Sequence, residues 1–235
     1  MTDKQLRHRI AFLTPATLII LLFFVLPGLL CVAFSFTNLA LTGSNAKQLS
    51  FVGLTNYANM LKDRSVIRAV SNTIIFTLGS IAGQSVFGFA IAYILRGTKP
   101  WVRRIVGSVV MMGWVMPEVV AAACMNSLFH DNGTLNVILE FMGIAKVSWL
   151  FSHPMLAVVA ANIWRGTAFS MINYQAALDD VDTSILESAM LDGCGPLSSV
   201  LRIILPVLKG TIATNSMLVT LSTLGCFGMI CFIPN

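Results

Sequence analysis

The sequence predicts an all-α integral membrane protein, a polytopic bundle of helices. Of its 235 residues, 56% are hydrophobic and only 11% are charged, whereas a soluble domain has about 25% charged residues. The mean hydropathy is +0.82. A membrane-spanning helix takes about 20 apolar residues, and five runs are long enough. They cover residues 10–36, 70–95, 104–128, 155–177 and 211–233.

The orientation of these spans follows from the first run and from the positive charges. The first run is longer than the apolar core of a signal peptide and lacks an A-x-A-like cleavage site, so we expect an uncleaved span. With the N-terminus inside, inner segments hold nine lysines and arginines and outer segments five. Positive residues accumulate in cytoplasmic loops. The N-terminus and segment 178–210 are therefore predicted to be cytoplasmic.

Net charge and cysteine content exclude other classes. The formal charge of +5 is a small excess, which indicates basic cytoplasmic loops and no binding of nucleic acid. The cysteines form no C-x-x-C pair, so we expect small core residues and neither a disulfide nor a metal site. They are Cys31, Cys124, Cys194, Cys226 and Cys231.

Two shorter patterns predict local packing. Tyr57, Met60 and Leu61 have the spacing of a short amphipathic helix, which we expect at the outer membrane interface. Gly79 and Gly83 form a G-x-x-x-G pattern, which lets another helix approach closely. That helix is either a neighbour in the same bundle or a dimer partner.

Segment 178–210, here called the polar segment, predicts two short helices separated by glycine. Ser184 and Glu187 have the spacing of a capping box, and Gly193 suits the left-handed conformation that ends a helix. Asp192 lies near that C-terminus, where a carboxylate is unfavourable. It either pairs locally, for example with Arg202, or serves the second helix or a partner protein.

The second helix of the polar segment is predicted to begin at Pro196, which suits a first helical position. Pro206 is expected to break it before the fifth span. Between them an apolar stripe is expected to pack on the bundle. The stripe consists of Leu197, Val200, Leu201 and Ile204.

The polar segment resembles the EAA motif of the permease subunits of binding-protein-dependent ABC importers. The pattern is E-x-A-x-x-D-G, followed after about a dozen residues by I-x-L-P. The matching residues are Glu187, Ala189, Asp192, Gly193, Ile203, Leu205 and Pro206. Further segments resemble the sugar and glycerol-3-phosphate branch of the family. They are Ser35-Phe36-Thr37, Phe51-Val52-Gly53-Leu54, Asn56-Tyr57, Asn72-Thr73 and Trp164.

The resemblance implies a permease domain of the type I importer kind in an inner membrane. The polar segment would be its coupling segment, seated on a separate ATPase. The other partners implied are a second ATPase subunit, a second permease subunit and an extracytoplasmic solute-binding protein. No cofactor is expected in the chain, which lacks G-x-x-x-x-G-K-[ST], so a partner would use the ATP. Family members normally have six spans, so the chain is expected to stop before the last.

Five residues within or beside the predicted spans are candidates for a solute path. Glu118 and Arg165 are ionisable, and such residues in a membrane commonly mark a functional site. They either pair with each other, snorkel or face a cavity separately, or line the path. The amides of Asn162, Asn173 and Gln84 suit hydrogen bonds to sugar hydroxyls, and equally suit bonds to neighbouring helices.

Two other classes remain as alternatives. An ion-coupled secondary transporter is expected to show discontinuous helices and repeat symmetry, and no internal repeat is visible. A channel or membrane scaffold would need no ATPase partner. Co-purification of an ATPase separates both from an importer subunit.

Overall fold

The structure is a computed structural model that describes residues 3–40, 49–226 and 230. Within these residues the chain is helical apart from turns and one isolated β-bridge, Thr37 to Phe51. The chain divides into two compact units, Met1–Val70 and Ser71–Asn235. The predicted all-helical class is confirmed.

The first unit contains the first span, which is helical over the apolar stretch Phe12–Ser35. Its middle is a wider π-helical turn, Leu21–Val25, just before Pro27. A proline ring clashes with the carbonyl group four residues earlier, here Phe23, so the wider turn makes room for it. The helices of this unit are α1 (Asp3–Ile20), α2 (Leu26–Ser35) and α3 (Thr55–Lys62).

Helix α3 is bonded to the end of α2. The Tyr57 hydroxyl lies 2.6 Å from Ser35 Oγ, and Asn56 Nδ2 donates to the carbonyl oxygens of Ser35 (2.9 Å) and Thr37 (2.8 Å). The Phe36 and Tyr57 rings are 5.6 Å apart. The predicted short helix is confirmed, and two of the family-like segments meet here.

The second unit contains the remaining helices, apart from residues 64–70 at the start of α4, and most of the buried residues. Its two longest helices, α4 and α9, are each long and apolar enough to cross a membrane alone. The helices are α4 (Arg64–Arg96), α5 (Pro100–Val115), α6 (Glu118–Phe129), α7 (Thr134–Phe141), α8 (Trp149–Ser152), α9 (Pro154–Asp179), α10 (Thr183–Leu191), α11 (Pro196–Ser199), α12 (Leu205–Val207) and α13 (Lys209–Leu224).

The predicted third span is a broken helix, and a second bend lies just before the predicted fifth span. The chain bends by 101° between α5 and the α6–α7 segment, and by 72° between α11–α12 and α13. A continuous third span over 104–128 was therefore a wrong prediction. Proline disfavours the helical region for the residue before it, and Met116, before Pro117, is extended at ψ 133°. The far end of the predicted fifth span lies outside the described residues.

Helix α4 packs closely on α9 through its glycines. A Cβ atom on Gly79 would meet Val159 at 3.2 Å, and one on Gly83 would overlap Ile163. Of the two alternatives for the G-x-x-x-G pattern, packing within the bundle is the one observed. At Gly88 a Cβ would lie 2.5 Å from Ser170 Cβ and 2.9 Å from the Met171 nitrogen.

Two apolar clusters stabilise the second unit. One joins α4, α6 and α9 and includes Phe76, Ala121 and Val158. The other joins α4 and α9 to the second helical part of the polar segment, through Ile204 (1% exposed) and Leu208 (2% exposed). Buried apolar side chains thus attach the polar segment to the bundle.

We expect Gly88→Ala to destabilise the bundle by about 1–3 kcal/mol, because the new methyl group overlaps side-chain and backbone atoms of α9. Thermal unfolding of the detergent-solubilised protein measures this. Gly107→Ala is the matched control, since a Cβ there meets nothing within 4 Å. Equal stability of both variants would contradict the proposed close approach.

Candidate functional site

The first helix of the polar segment, α10, is capped by Asp182. Its carboxylate accepts a hydrogen bond from the Ser184 backbone nitrogen at 2.9 Å. This bond lowers the pKa of the exposed Asp182 carboxyl. The predicted capping box on Ser184 was wrong, because the helix begins at Thr183, two residues earlier than a Ser184 cap requires, and Ser184 lies in its first turn. Glu187 is consequently an exposed residue of α10.

Gly193 ends α10 in the left-handed conformation, as predicted, at φ +79°. The Gly193 nitrogen donates to the Met190 carbonyl (3.1 Å), and the Cys194 nitrogen donates to the Ala189 carbonyl (2.9 Å). These two bonds define a Schellman motif. The left-handed conformation of this motif explains why glycine occupies position 193. The motif also gives the Ala189 carbonyl oxygen a hydrogen-bond donor.

The second helix differs from the prediction at its end. Pro196 does begin it, but the chain stays helical through Pro206 and bends at Leu208. A π-helical turn, Val200–Ile204, precedes Pro206 and accommodates the proline as at Pro27. The wider turn also shifts the buried face. Ile204 is buried as expected, whereas Leu197 and Leu201 are 73% and 56% exposed.

An exposed apolar edge surrounds the turn between the two helices. Met190, Leu191 and Leu197 are 63%, 90% and 73% exposed. Contiguous apolar surface of this kind commonly marks an interaction site.

Among the described residues Asp192 and Arg202 form no ion pair, so the local pair considered for Asp192 is absent. Hydrogen bonds from Ser198 and then Ser199, with the charge of Arg202, lower the pKa of the Cys194 thiol.

The other cysteines only partly match the expected core role. Cys226 is buried, whereas Cys31 and Cys124 are exposed on the isolated chain, and Cys231 lies outside the described residues. Where side chains are described, no group of three or more histidine, cysteine, aspartate or glutamate residues could hold a metal ion.

Asn162 and Gln84 bond neighbouring helices. Asn162 on α9 donates to Ser80 Oγ of α4 (2.8 Å) and to Thr223 Oγ1 of α13 (3.2 Å). Gln84 Nε2 donates to the Asn162 carbonyl at 3.1 Å. The Gln84 amide fits because Gly166 has no Cβ, whose position would overlap it.

Asn173 belongs to a second polar layer centred on Asn215, which is 1% exposed. Asn173 Nδ2 donates to Asn215 Oδ1 (3.1 Å), and Asn215 Nδ2 donates to Ser170 Oγ (3.0 Å) and the Tyr174 hydroxyl (3.3 Å). The three amides named from the sequence thus connect helices, and Asn215 was missed.

The two intramembrane ionisable residues differ in their surroundings. Glu118 lies in the first turn of α6, and its Oε1 accepts a hydrogen bond from Cys226 Sγ at 3.0 Å. Arg165 is half-buried, and its buried Nε has no hydrogen-bond partner. The ion pairs between described residues are Arg103–Asp179 and Lys146–Glu140. Glu118 and Arg165 do not form one.

A groove of ≈ 930 Å³ runs between α5 and α9. Arg103, which donates to Asp179 Oδ1 at 3.1 Å, lies at one end, and Met116 and Pro117 lie at the other. Gln175 contributes a buried Nε2 without a partner. The remaining lining is mainly apolar and includes Gly107, Met111, Met112, Val115 and Ile172.

An aromatic pair lies beside this groove. The Trp114 ring of α5 stacks on the Phe169 ring of α9, with centroids 5.9 Å apart and planes at 29°. Sequence reasoning missed both residues and Gln175. A usable signal was present, since Phe169 follows Arg165 by four residues and shares its helix face.

Comparison with known proteins places this architecture in a family. Residues 84–233, more than half of the chain, match the family described as "Binding-protein-dependent transport system inner membrane component". The chain belongs to this family. It is therefore a multi-pass component of an inner membrane in a family of transport proteins that are not enzymes, and the resemblance found in its sequence is confirmed.

Relatives support the same assignment. The chain is 27% identical to the trehalose/maltose transport system permease protein of Thermococcus litoralis, over 77% of this chain and 62% of that protein. It is 27% identical to the sulfoquinovosyl glycerol transport system permease protein of Agrobacterium fabrum, over 93% of this chain and 71% of that one. The chain thus spans under two thirds of the first of these.

A solved structure shares the fold. It is described as a bacterial alginate ABC transporter in complex with an alginate pentasaccharide-bound periplasmic protein. The TM-score is 0.74 at 21% identity, covering 92% of this chain and 72% of the matched chain. The likeness shows a shared fold, while the cytoplasmic position of the N-terminus stays a prediction.

We expect Asp182→Ala to fray the start of α10, whereas Asp182→Asn, which can still accept the Ser184 bond, retains it. Hydrogen exchange of the α10 amides measures this. Because the folded pKa of Asp182 is lowered, the carboxylate's contribution is present above the unfolded pKa, about 3.9, and is lost as pH falls through the folded pKa. Protection in the wild type that does not depend on pH would contradict this.

Proposed function

We propose that the chain is the permease subunit of an ATP-driven ABC importer. It would form half of the translocation path for a sugar or a glycerol-3-phosphate-like solute. The observation that carries the proposal is the polar segment, in which two helices and a Schellman turn bear the motif residues from Glu187 to Pro206. Family membership and the names of the relatives support it.

The polar segment suits the transmission of force from an ATPase. Its exposed apolar edge, at Met190, Leu191 and Leu197, offers a surface that an ATPase cleft would bury. Its other end is attached to the bundle through Ile204 and Leu208. A displacement imposed on the exposed edge would therefore reach α4 and α9 through packed side chains.

The motif residues have separate roles in this proposal. Ala189 and Gly193 form the turn, and Leu205 and Pro206 belong to the helical part that precedes the bend at Leu208. Glu187 and Asp192 are exposed and would bind the ATPase. The missing ion pair of Asp192 supports that role, because a carboxylate at a helix C-terminus needs a compensating partner.

The assembly would need four further polypeptides besides the lipid bilayer. These are a second permease subunit, two ATP-binding subunits and an extracytoplasmic solute-binding protein. ATP would be bound by the ATPase, and the chain itself would hold no cofactor. The polar segment would then be cytoplasmic, in agreement with the distribution of positive residues.

The α5–α9 groove is the best candidate for this chain's share of the path. It is large enough for a small solute and carries an unpartnered polar atom on Gln175. Asn162, Asn173 and Gln84 would instead keep the helices behind it in register.

We expect Gly193→Val to uncouple ATP hydrolysis from transport. A β-branched residue at φ +79° costs about 1–2 kcal/mol, roughly tenfold in the population of the correct turn. Solute-stimulated ATPase activity of the reconstituted complex measures this. Gly195→Ala is the control, because Gly195 has φ −70° and open space around its Cβ position. Full stimulation in Gly193→Val would oppose the coupling role.

We expect an ATPase to protect Cys194 from alkylation. In a variant that retains only this cysteine, its lowered pKa increases the thiolate fraction at neutral pH and speeds labelling. Ser198→Ala should raise the pKa and slow labelling. Assembly with the ATPase should slow labelling by at least about fivefold, and a cysteine introduced by Lys146→Cys should be unaffected. Equal rates with and without the ATPase would count against docking here.

A further inference from the structure

We propose that the α5–α9 groove, together with the adjoining helix faces that bear Arg165, Trp114 and Phe169, selects solutes in which a carbohydrate ring carries an oxyanion group, such as a carboxylate, sulfonate or phosphate. Arg165 would bind the oxyanion, and the Trp114–Phe169 pair would contact the ring. This inference rests on the proposed transport function and adds a charge requirement to it.

The first observation is the unsatisfied charge of Arg165. The residue lies near the middle of α9, one of the helices that are long and apolar enough to cross a membrane as a single segment. Its side chain forms no ion pair or hydrogen bond with the described part of the chain, and its Nε is buried. A charge at membrane depth is costly and needs a partner. An anion supplied by the solute meets that need.

The second observation is the kind of donor available. Guanidinium presents a planar fork of N–H groups that matches carboxylate and phosphate oxygens in a bidentate way. Gln175 Nε2, the other unpartnered atom of α9, can likewise only donate. Ten residues of helix separate them, about 15 Å. Both therefore favour a solute rich in acceptors at successive positions of the path.

The third observation is the aromatic surface next to Arg165. Arg165, Phe169 and Ile172 lie on one face of α9, and Ile172 lines the groove. On α5, Trp114 follows the lining residues Gly107 and Met111 at helical spacing, and 41% of it is exposed. A stacked Trp–Phe pair offers a flat apolar surface with weak polarity, which suits the C–H face of a sugar ring.

The carboxylate of Glu118 does not replace the anion. It accepts from Cys226 Sγ and lies outside ion-pair distance of the guanidinium, as no Glu118–Arg165 pair occurs between these described residues. The groove's own ion pair, Arg103–Asp179, is complete at the opposite end. A neutral sugar would leave the charge of Arg165 uncompensated.

Binding of matched solutes to the full chain in lipid nanodiscs tests this. The probes are glucuronate against glucose and glycerol 3-phosphate against glycerol, measured by calorimetry. We expect each anionic member to bind at least about tenfold more tightly, as a charge-assisted bidentate contact supplies this factor. Arg165→Gln should abolish the difference, and Arg165→Lys should keep part of it.

The controls separate charge from folding and from stacking. Lys146→Gln removes a positive charge from the predicted outer segment and should leave the preference unchanged. Trp114→Leu should weaken glucuronate and glucose by similar factors and leave glycerol 3-phosphate unaffected. Arg165→Gln should be at least as thermally stable as the wild type, because it removes an uncompensated charge.

A wild-type preference below about twofold would overturn the inference, and so would a preference that survives Arg165→Gln. Neither result depends on an ATPase. If an ATPase assembles with the chain but anionic and neutral solutes are taken up equally well, the inference fails and the transport function stands. If anionic solutes bind preferentially but no ATPase associates, the proposed transport function fails and the inference about charge stands.

Discussion

Backbone amides in hydrocarbon must find hydrogen-bond partners within the protein, and this constraint organises the molecule. Each interior proline removes a donor and obstructs an earlier carbonyl group. Before Pro27 and Pro206 the chain responds with a π-helical turn and stays helical. At Pro117 it breaks and bends by 101°. The prolines therefore determine where a helix continues through a wider turn and where it breaks.

A second constraint acts between the helices. Helices in a membrane associate through close packing and interhelical hydrogen bonds because lipid chains are as apolar as leucine. Glycines bring α4 against α9, and the two polar layers of Asn162 and Asn215 connect these helices to α13. The amides bond neighbouring helices and so help to specify their register. Arg165 and Gln175 differ from these amides because each has a buried donor without a partner, as Thr77 and Arg96 of α4 also have a buried polar atom without one.

The sequence predicted the class, the approximate spans and the helix–glycine–helix plan, because each depends on local composition or on one conformational requirement. Gly193 is an example, since only its own dihedral angle decides the turn. The cap of α10 moved from Ser184 to Asp182, since two competent caps lay two residues apart. The exposure of Leu197 and Leu201 was unpredictable from a regular helical period, which the π turn interrupts. The Trp114–Phe169 stack depends on the relative placement of two helices, and no local pattern contains that information.

The bend at Leu208 joins the second helical part of the polar segment to α13 as two arms of a lever, with the pivot between them. Residues Pro196–Val207 form one arm, about 18 Å long at helical rise, set at 72° to α13. Leu208, which is buried against the bundle, lies at the bend between the two arms. A helix shift of about 2 Å at the free end of such an arm corresponds to a rotation of about 6°. A lateral displacement of residues Pro196–Val207 near the membrane surface would therefore tilt α13 about Leu208.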